Sequence, residues 1–472
     1  MIRNSAFIFG GNMVSSLFLL ARNVFLARLL TVENYGIAMT FAIVVAAMEL
    51  ATNMASDRML IQAKDGDDAK LQDTMHGFEI IRGAVLAFLL FLCAAPLAKF
   101  FQAPQAVNAF QVLALVPMLR GFRHLDMFRV QRKKDFKSFV LVPLISQGGA
   151  MLAIFPLAMI FPDYRAMVAS IMLQHGLFVL LSHYLAQRRY GLGLDIATAR
   201  RVMAFGLPLM TNGLLMFMIL NGDRLIIANQ FGPIELGWFS AAFTIALTPT
   251  LIVGKTIQTV FLPTLSRRFQ QQRGLELGAI AAVQAGIAAG VGFAVILATI
   301  GPFLFRALFG AAFDQALPLL VLLGLMQGLR IAKAGPVTIS IATAHTSDPL
   351  YANLVRISAI PVGLIIVLMG GSATHLVIVA ILGEIASLIM SLSLVNKRIG
   401  LAWRTWIPLL AFTSVIGGMI VLTARSVDPS FGSIFETERM VLLVIFGTGF
   451  FLIGELWGMA MKKVAVRDDA VQ

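Results

Sequence analysis

The chain has 472 residues, of which 58% are hydrophobic and 13% charged, and its mean hydropathy is +0.86. A soluble fold cannot hide that much apolar surface, so the composition excludes a soluble globular protein and defines a polytopic membrane protein. The formal charge of +13 acts through its placement rather than its total, and the single Cys93 excludes an intrachain disulfide or a cysteine-based metal cluster.

A spanning helix needs about 20 mostly apolar residues. Such runs predict helices over 5–30, 37–61, 75–98, 107–128, 138–161, 165–186, 202–230, 234–265, 277–305, 315–341, 350–370, 374–395, 406–424 and 440–461. The first run continues from MIRNSAFIFGGNMVSSLFLL through Ala21 to Leu30, which reads as a retained span rather than a cleaved leader. The positive-inside rule tests the count. Basic segments recur at 131–137, 187–201, 266–273, 396–404 and 461–467, while the intervening turns TVENYG, FQAPQAV, NQFGPIE and GGSAT carry almost no Lys or Arg. The alternation stays in phase to the end, which predicts about 14 transmembrane helices with both termini cytoplasmic.

FLARLLTVENYGIAMTFAIV (25–44) aligns without gaps beneath IIANQFGPIELGWFSAAFTI (226–245), bringing Ala27 onto Ala228 and Gly36 onto Gly237. Each stretch is the end of one span, a turn and the start of the next, so spans 1–2 pair with spans 7–8. The expected organisation is all-α: a six-helix lobe over 1–186, a cytoplasmic linker over 187–201, a second six-helix lobe over 202–396, and two further helices with a tail over 397–472. An even number of helices per lobe makes the repeats parallel, related by a pseudo-two-fold along the membrane normal.

Ionisable residues inside a membrane cost roughly 2.5–3.5 kcal/mol each on insertion scales and tend to face protein or water. Twelve of the 37 basic residues fall within spans, among them Arg22, Arg28, Arg82, Arg120, Arg123, Arg224, Lys255, Arg330, Lys333 and Arg356. Arg28, Arg82 and Arg356 are placed to snorkel. Span 1 carries Asn12, Ser16 and Asn23 on one face beside Arg22; span 2 carries Glu49, Asn53 and Ser56; span 8 carries Thr244, Thr248, Lys255 and Thr259. Helix packing explains the hydroxyls alone, but stripes that include Arg22 and Lys255 fit a water-filled cavity better. The span carboxylates are fewer, among them Glu49, Glu79, Asp126, Asp223, Glu384 and Glu455. A cavity with surplus cations suits an anion, and the guanidinium fork suits phosphate in particular. Arg120 and Arg123 leave span 4 beside His124 and either line the cavity mouth or serve orientation and lipid headgroups. The adjacent Asp223 and Arg224 lower each other's cost, whether as a fixed packing pair or as one that forms in a single transporter state. No phosphate loop, metal-ligand spacing or nucleophile elbow appears, and the six histidines are scattered.

NGDRLIIANQFGPIELGWFSAA, ARLLTVENYGIAM (27–39), QRKKDFKSFVLVPLISQ (131–147), TVFLPTLSRRFQ (259–270) and LFGAAFDQALPLLVLLGLMQGLR (308–330) together resemble the bacterial polysaccharide transporter family. These are flippases for undecaprenyl-diphosphate-linked sugar repeats, within the multidrug/oligosaccharidyl-lipid/polysaccharide exporter superfamily. The resemblance implies an alternating-access transporter in the bacterial inner membrane with a cationic cavity and no enzymatic chemistry. In the related lipid II flippases, arginines on helices 1, 2 and 8 are essential; Arg22 and Arg28 match the first two, Arg58 the third, and Lys255 the last as a lysine. The acidic residue those flippases place near the start of helix 2 has no counterpart in IAMTFAIV, which argues for a cargo other than lipid II.

The expected substrate-binding residues are therefore Arg22, Asn23, Arg28, Asn53, Arg58, Arg120, Arg123, Arg224 and Lys255, with Glu49, Asp223 and Glu384 as candidates for H+ or Na+ coupling and no cofactor or metal. Polyprenyl-linked oligosaccharide and membrane lipids are the expected partners, with a polysaccharide polymerase and a chain-length regulator further along. A cation-coupled drug exporter is the nearest alternative, but it calls for cavity carboxylates. A membrane sugar polymerase or ligase needs a larger external loop than RSVDPSFGSIFETER.

Overall fold

The computed structural model describes residues 2–51 and 56–401, with 406, 413, 415–418 and 420 beyond them. All regular structure among the described residues is helical, and eleven of these helices are long and apolar enough to cross a membrane. The chain divides into two compact units, Met1–Ser240 and Ala241–Gln472. The predicted spans 13 and 14 lie largely outside the described residues, and Asn53 lies wholly outside them.

The first unit opens with α1 (Ile2–Leu29), α2 (Val32–Ala51), the short α3 (Ser56–Gln62) and α4 (Ala69–Phe100). It continues through α5 (Val107–Leu113), α6 (Leu115–Gly121), α7 (Asp126–Arg132), α8 (Lys137–Ile160), α9 (Arg165–Tyr184) and α10 (Ile196–Gln230). The first residues of α11 (Gly232–Gln271) also belong to it. Helices α4 and α10 start where the chain supplies acceptors for their exposed N–H groups: Asp68 accepts from the Lys70 amide at 3.1 Å, and Asp195 from the Thr198 amide at 3.0 Å. Prolines inside α4, α8, α10 and α11 are carried without ending the helix, as membrane helices allow. Helix α1 packs on α8, α8 on α9, α4 on α5 and α6, and α2 on α10.

The predicted fourth span, 107–128, is not one helix. It is broken at Ala114 and again over Phe122–Leu125, giving α5, α6 and α7. Pro117 explains the first break, because its missing N–H and its ring bulk act on the residue four positions back, Leu113. At the second break the amides of Leu125 and Asp126 turn to the ring nitrogens of His76 and His124, each at 3.1 Å.

The turns aligned in the sequence repeat meet inside this unit. A Cβ on Gly36 would run into the carbonyl oxygen of Pro233, and a Cβ on Gly237 would stand 2.6 Å from the carbonyl oxygen of Val32. The alignment carries Val32 onto Pro233, so the two contacts are the same contact made in both directions. That reciprocity is what a local two-fold relation produces.

The second unit holds α12 (Leu275–Thr299), α13 (Gly301–Phe309), α14 (Leu317–Ala332), α15 (Ala334–Ala342), α16 (Asp348–Ile357), α17 (Ala359–Leu368) and α18 (Ala373–Ile399). Helices α12 and α14 cross most intimately, through Gly290 and Gly328. A Cβ on either would press on the backbone carbonyl of the other, at 2.5 Å for Gly328. Lipid offers no hydrophobic drive for helices to associate, so close backbone approach through small residues supplies the packing. Helices α14, α16 and α17 gather around α18.

Candidate functional site

In the first unit Gly83 on α4 and Gly121 on α6 bring two backbones together: Cβ atoms there would lie 2.5 Å from the Pro117 carbonyl oxygen and 2.8 Å from that of Glu79. This crossing sets Glu79 and Arg82 of α4 beside Arg120 and Arg123 at the end of α6. Helix α2 delivers Glu49 from the other side. Glu79 is buried, and it accepts from the Ser56 hydroxyl at 2.7 Å and from Arg82 at 2.5 Å, with Arg123 at 3.6 Å. Arg120 forms its ion pair with Glu49. Three arginines and Glu49 line one pocket, walled by Val45, Leu86 and Val116, with about 450 Å³ of empty space counting its open mouth.

Arg123 is the notable member. Its side chain is buried, its guanidinium lies 5.8 Å from the Phe128 ring centre, and its Nε finds no hydrogen-bond partner among the described residues. A buried guanidinium with a donor to spare, lining a pocket, is suited to an anionic oxygen.

Arg22 on α1 is also buried and donates to Gln174 on α9 at 2.6 Å. Its Nε and the Oδ1 of Asn23 have no partner among the described residues. His175 lies within electrostatic range of both Arg120 and Arg22. Of the other residues expected from sequence, Arg28 and Arg58 are exposed, at the end of α1 and on α3. Lys255 is exposed along α11, where Thr259 bonds to its carbonyl. Asp223 is buried, and Arg224 donates to Asn221 at 3.3 Å and to Ser240 at 3.2 Å.

Two snorkelling expectations are corrected. Arg82 turns to Glu79 one helical turn away, and Arg356 is fully buried with its Nε 2.6 Å from Glu384. The cause is the same in both: a carboxylate inside the protein offers a nearer counter-charge than the headgroups do. Glu384 also receives Arg330 at 2.6 Å and Lys333 at 2.5 Å, and Lys333 donates further to Ser387 at 3.0 Å. This second cluster lies wholly within the second unit.

The sequence pointed to Arg120 and Arg123 together and marked Glu79 and Ser56 as polar residues within spans without assigning them to the site, and it passed over Gln174. Glu79 stands one turn before Arg82, a spacing that pairs them on one helix face. Ser56 and Gln174 reach their partners through tertiary packing alone.

Helices long and apolar enough to span a membrane, with arginines buried among them against glutamates and around a polar pocket, define a polytopic membrane protein. The comparisons give the family: the model for the polysaccharide biosynthesis protein family matches residues 25–318, and the chain belongs to that family. It is 20% identical over 288 residues to the teichuronic acid biosynthesis protein TuaB of Bacillus subtilis (strain 168), covering 60% of this chain and 59% of TuaB. It is 24% identical over 318 residues to the succinoglycan biosynthesis transport protein ExoT of Rhizobium meliloti (strain 1021), covering 64% and 61%. The match thus spans about three-fifths of each of these relatives. Among solved structures, the lipid II flippase MurJ in an inward closed conformation superposes with a TM-score of 0.71, over 98% of this chain and 100% of that one, at 13% identity. At that identity the likeness carries the fold alone.

Proposed function

We propose that the protein is a flippase that carries a polyprenyl-diphosphate-linked oligosaccharide from the cytoplasmic to the outer leaflet of the bacterial inner membrane by alternating access. The observation that carries this reading is the pocket of Arg82, Arg120 and Arg123, a membrane-embedded anion receptor of the right chemistry for a diphosphate. Membership of the polysaccharide biosynthesis family supplies the sugar, and the names of ExoT, a transport protein, and MurJ, a flippase, accord with movement rather than synthesis. No covalent step is needed; differences in binding between states drive the cycle.

In this reading residues 1–186 and 202–396 form two six-helix lobes joined by 187–201, and both termini are cytoplasmic. Arg22, Arg28, Arg58, Arg224 and Lys255 serve the translocation path with Asn23 and Asn53. Coupling to H+ or Na+ falls to Glu49, which is half-exposed and has an exchangeable partner, sooner than to Glu384, which is ringed by three cations. A polymerase and a chain-length regulator would take up the flipped product. An exporter of cationic drugs is disfavoured by the pocket's surplus of arginine.

Deleting the gene and following surface polysaccharide together with the leaflet position of its lipid-linked precursor tests the proposal. The expected result is loss of polymer with precursor held inside, restored by the wild type and not by Arg123→Gln, Arg22→Ala or Lys255→Ala. Normal polymer with raised sensitivity to cationic drugs would sink it.

A further inference from the structure

The two glutamates that pair with the pocket arginines are held in different ways. Glu79 is 1% exposed and is fixed by a hydroxyl and two guanidiniums from three chain segments. Glu49 has a side chain 39% exposed and an ion pair to Arg120, itself 29% exposed, at the pocket wall. A pair whose two side chains are both partly exposed is held less firmly than one sealed inside the protein, because two side chains must be kept in one geometry without packing to fix them. A diphosphate as a whole carries more charge than a carboxylate, and its oxygens take the same two-pronged approach to a guanidinium.

We propose that Glu49 is a tethered competitor for the anion site: the diphosphate of the substrate binds Arg120 by displacing Glu49, and Glu49 returns to Arg120 to expel it. Glu79, Arg82 and Arg123 form the fixed floor on which the exchange takes place, with the free Nε of Arg123 meeting the incoming oxygens. One anionic group leaves Arg120 as another arrives, so its guanidinium is never left without a counter-charge. A tethered group has a high local concentration and lowers the apparent affinity for a free anion in proportion to the time it occupies the site. Such a device makes a site that captures its cargo and also releases it. The identity of the ligand rests on the flippase reading; the exchange itself does not.

The test uses the full chain in nanodiscs, with radiolabelled inorganic pyrophosphate as probe and thermal unfolding as a check that each variant is folded. Glu49→Gln removes the competitor and keeps the shape, so it binds pyrophosphate more tightly, by about tenfold if the pair is closed nine-tenths of the time. Arg120→Gln binds more weakly, and Arg120→Lys falls between it and the wild type because the charge remains but the fork is lost. In the Arg120→Gln background the Glu49→Gln gain disappears. Weaker or unchanged binding by Glu49→Gln would overturn the exchange, as would a gain that persists without Arg120. Either result leaves the flippase reading standing if the wild type still binds. A second arm adds a polyprenyl diphosphate to the nanodisc lipid. Displacement of pyrophosphate assigns the site to a lipid headgroup, whereas failure to displace it makes this a free-anion site and overturns the assignment of the ligand. No pyrophosphate binding by any variant overturns both the exchange and the anion pocket.

Discussion

At the scale of single residues, the membrane arginines divide by the kind of counter-charge they have. Arg356, Arg330 and Lys333 converge on Glu384, which is wholly buried, so this one carboxylate neutralises part of a cluster that is otherwise all cation. Removing one partner from a buried pair leaves uncompensated charge and costs about 3–5 kcal/mol. Glu384→Gln is therefore expected to lower the apparent Tm in detergent by roughly 10 °C, followed by tryptophan fluorescence. A Glu384→Gln protein as stable as the wild type, but no longer responsive to Na+ or pH, would instead mark Glu384 as a coupling residue. Glu49→Gln, at a half-exposed pair, is expected to move Tm by no more than about 2 °C. Equal losses for the two variants would mean that burial does not separate their roles. The basic partners of these glutamates were readable as anomalies in apolar runs. The pairing was not, since Arg120 and Glu49 are 71 residues apart and Arg330 and Glu384 are 54 apart.

At the scale of elements, the broken fourth span and the 187–195 segment explain each other. His76 accepts from the Leu125 amide and donates through Nδ1 to the Gly191 carbonyl at 3.0 Å; His124 accepts from the Asp126 amide and donates through Nε2 to the Arg188 carbonyl at 3.0 Å. Each neutral ring thus bridges the start of α7 to the segment leading into α10. Asp126 adds a bond from the Gln187 amide at 2.7 Å, and Tyr190 stacks 4.3 Å from His76. Glutamine can both accept and donate as the imidazole does, whereas leucine strands a buried N–H at a cost of about 1–3 kcal/mol. With Cys93→Ser as background and a nitroxide on Leu192→Cys, His76→Gln should keep the label immobile and His76→Leu should free it. Equal mobility in both would show that the bridge does not hold the segment. Asp65 and Arg201 add a second tie, at 2.6 Å, and the hydrogen bond from Arg201 holds the Asp65 carboxyl below its ordinary value. A carboxyl lowered on folding stabilises above its unfolded pKa, about 3.9, and that support is lost as pH falls through the lower folded value. The tie should therefore be intact at neutral pH and lost only in strong acid, and Arg201→Gln should lower Tm slightly at pH 7 and not at all once Asp65 is protonated. Hydropathy revealed the spans because lipid demands long apolar runs. It could not reveal the break, because a proline in FQVLALVPMLRGF need not end a membrane helix, nor the bridge, because His76, His124 and Tyr190 meet only in the fold.

At the scale of the whole molecule, the repeat first visible at Gly36 and Gly237 extends to the helix crossings inside each unit. One displacement along the chain carries Gly83 onto Gly290 and Gly121 onto Gly328, the glycines that close α4 on α6 and α12 on α14. The same displacement carries Arg123 onto Arg330. Their counter-charges come from different places, Glu79 on α4 for one and Glu384 on α18 for the other. A repeated pattern of helix crossings thus holds different chemistry: an open arginine pocket in one unit and a closed ion cluster in the other. The reciprocal contact of the two turns gives the repeat a measurable consequence. A Cβ on Gly36 meets the Pro233 backbone and a Cβ on Gly237 meets that of Val32, so either substitution must push the same two turns apart. Overpacking of this kind costs about 1–3 kcal/mol. Once the turns have parted, the second Cβ enters space already opened. Gly36→Ala and Gly237→Ala should each lower the apparent Tm, and the double variant should lose less than the two losses combined, by at least about 0.5 kcal/mol. Strict additivity would mean that the turns yield separately and that the two halves of the repeat are not closed on each other there.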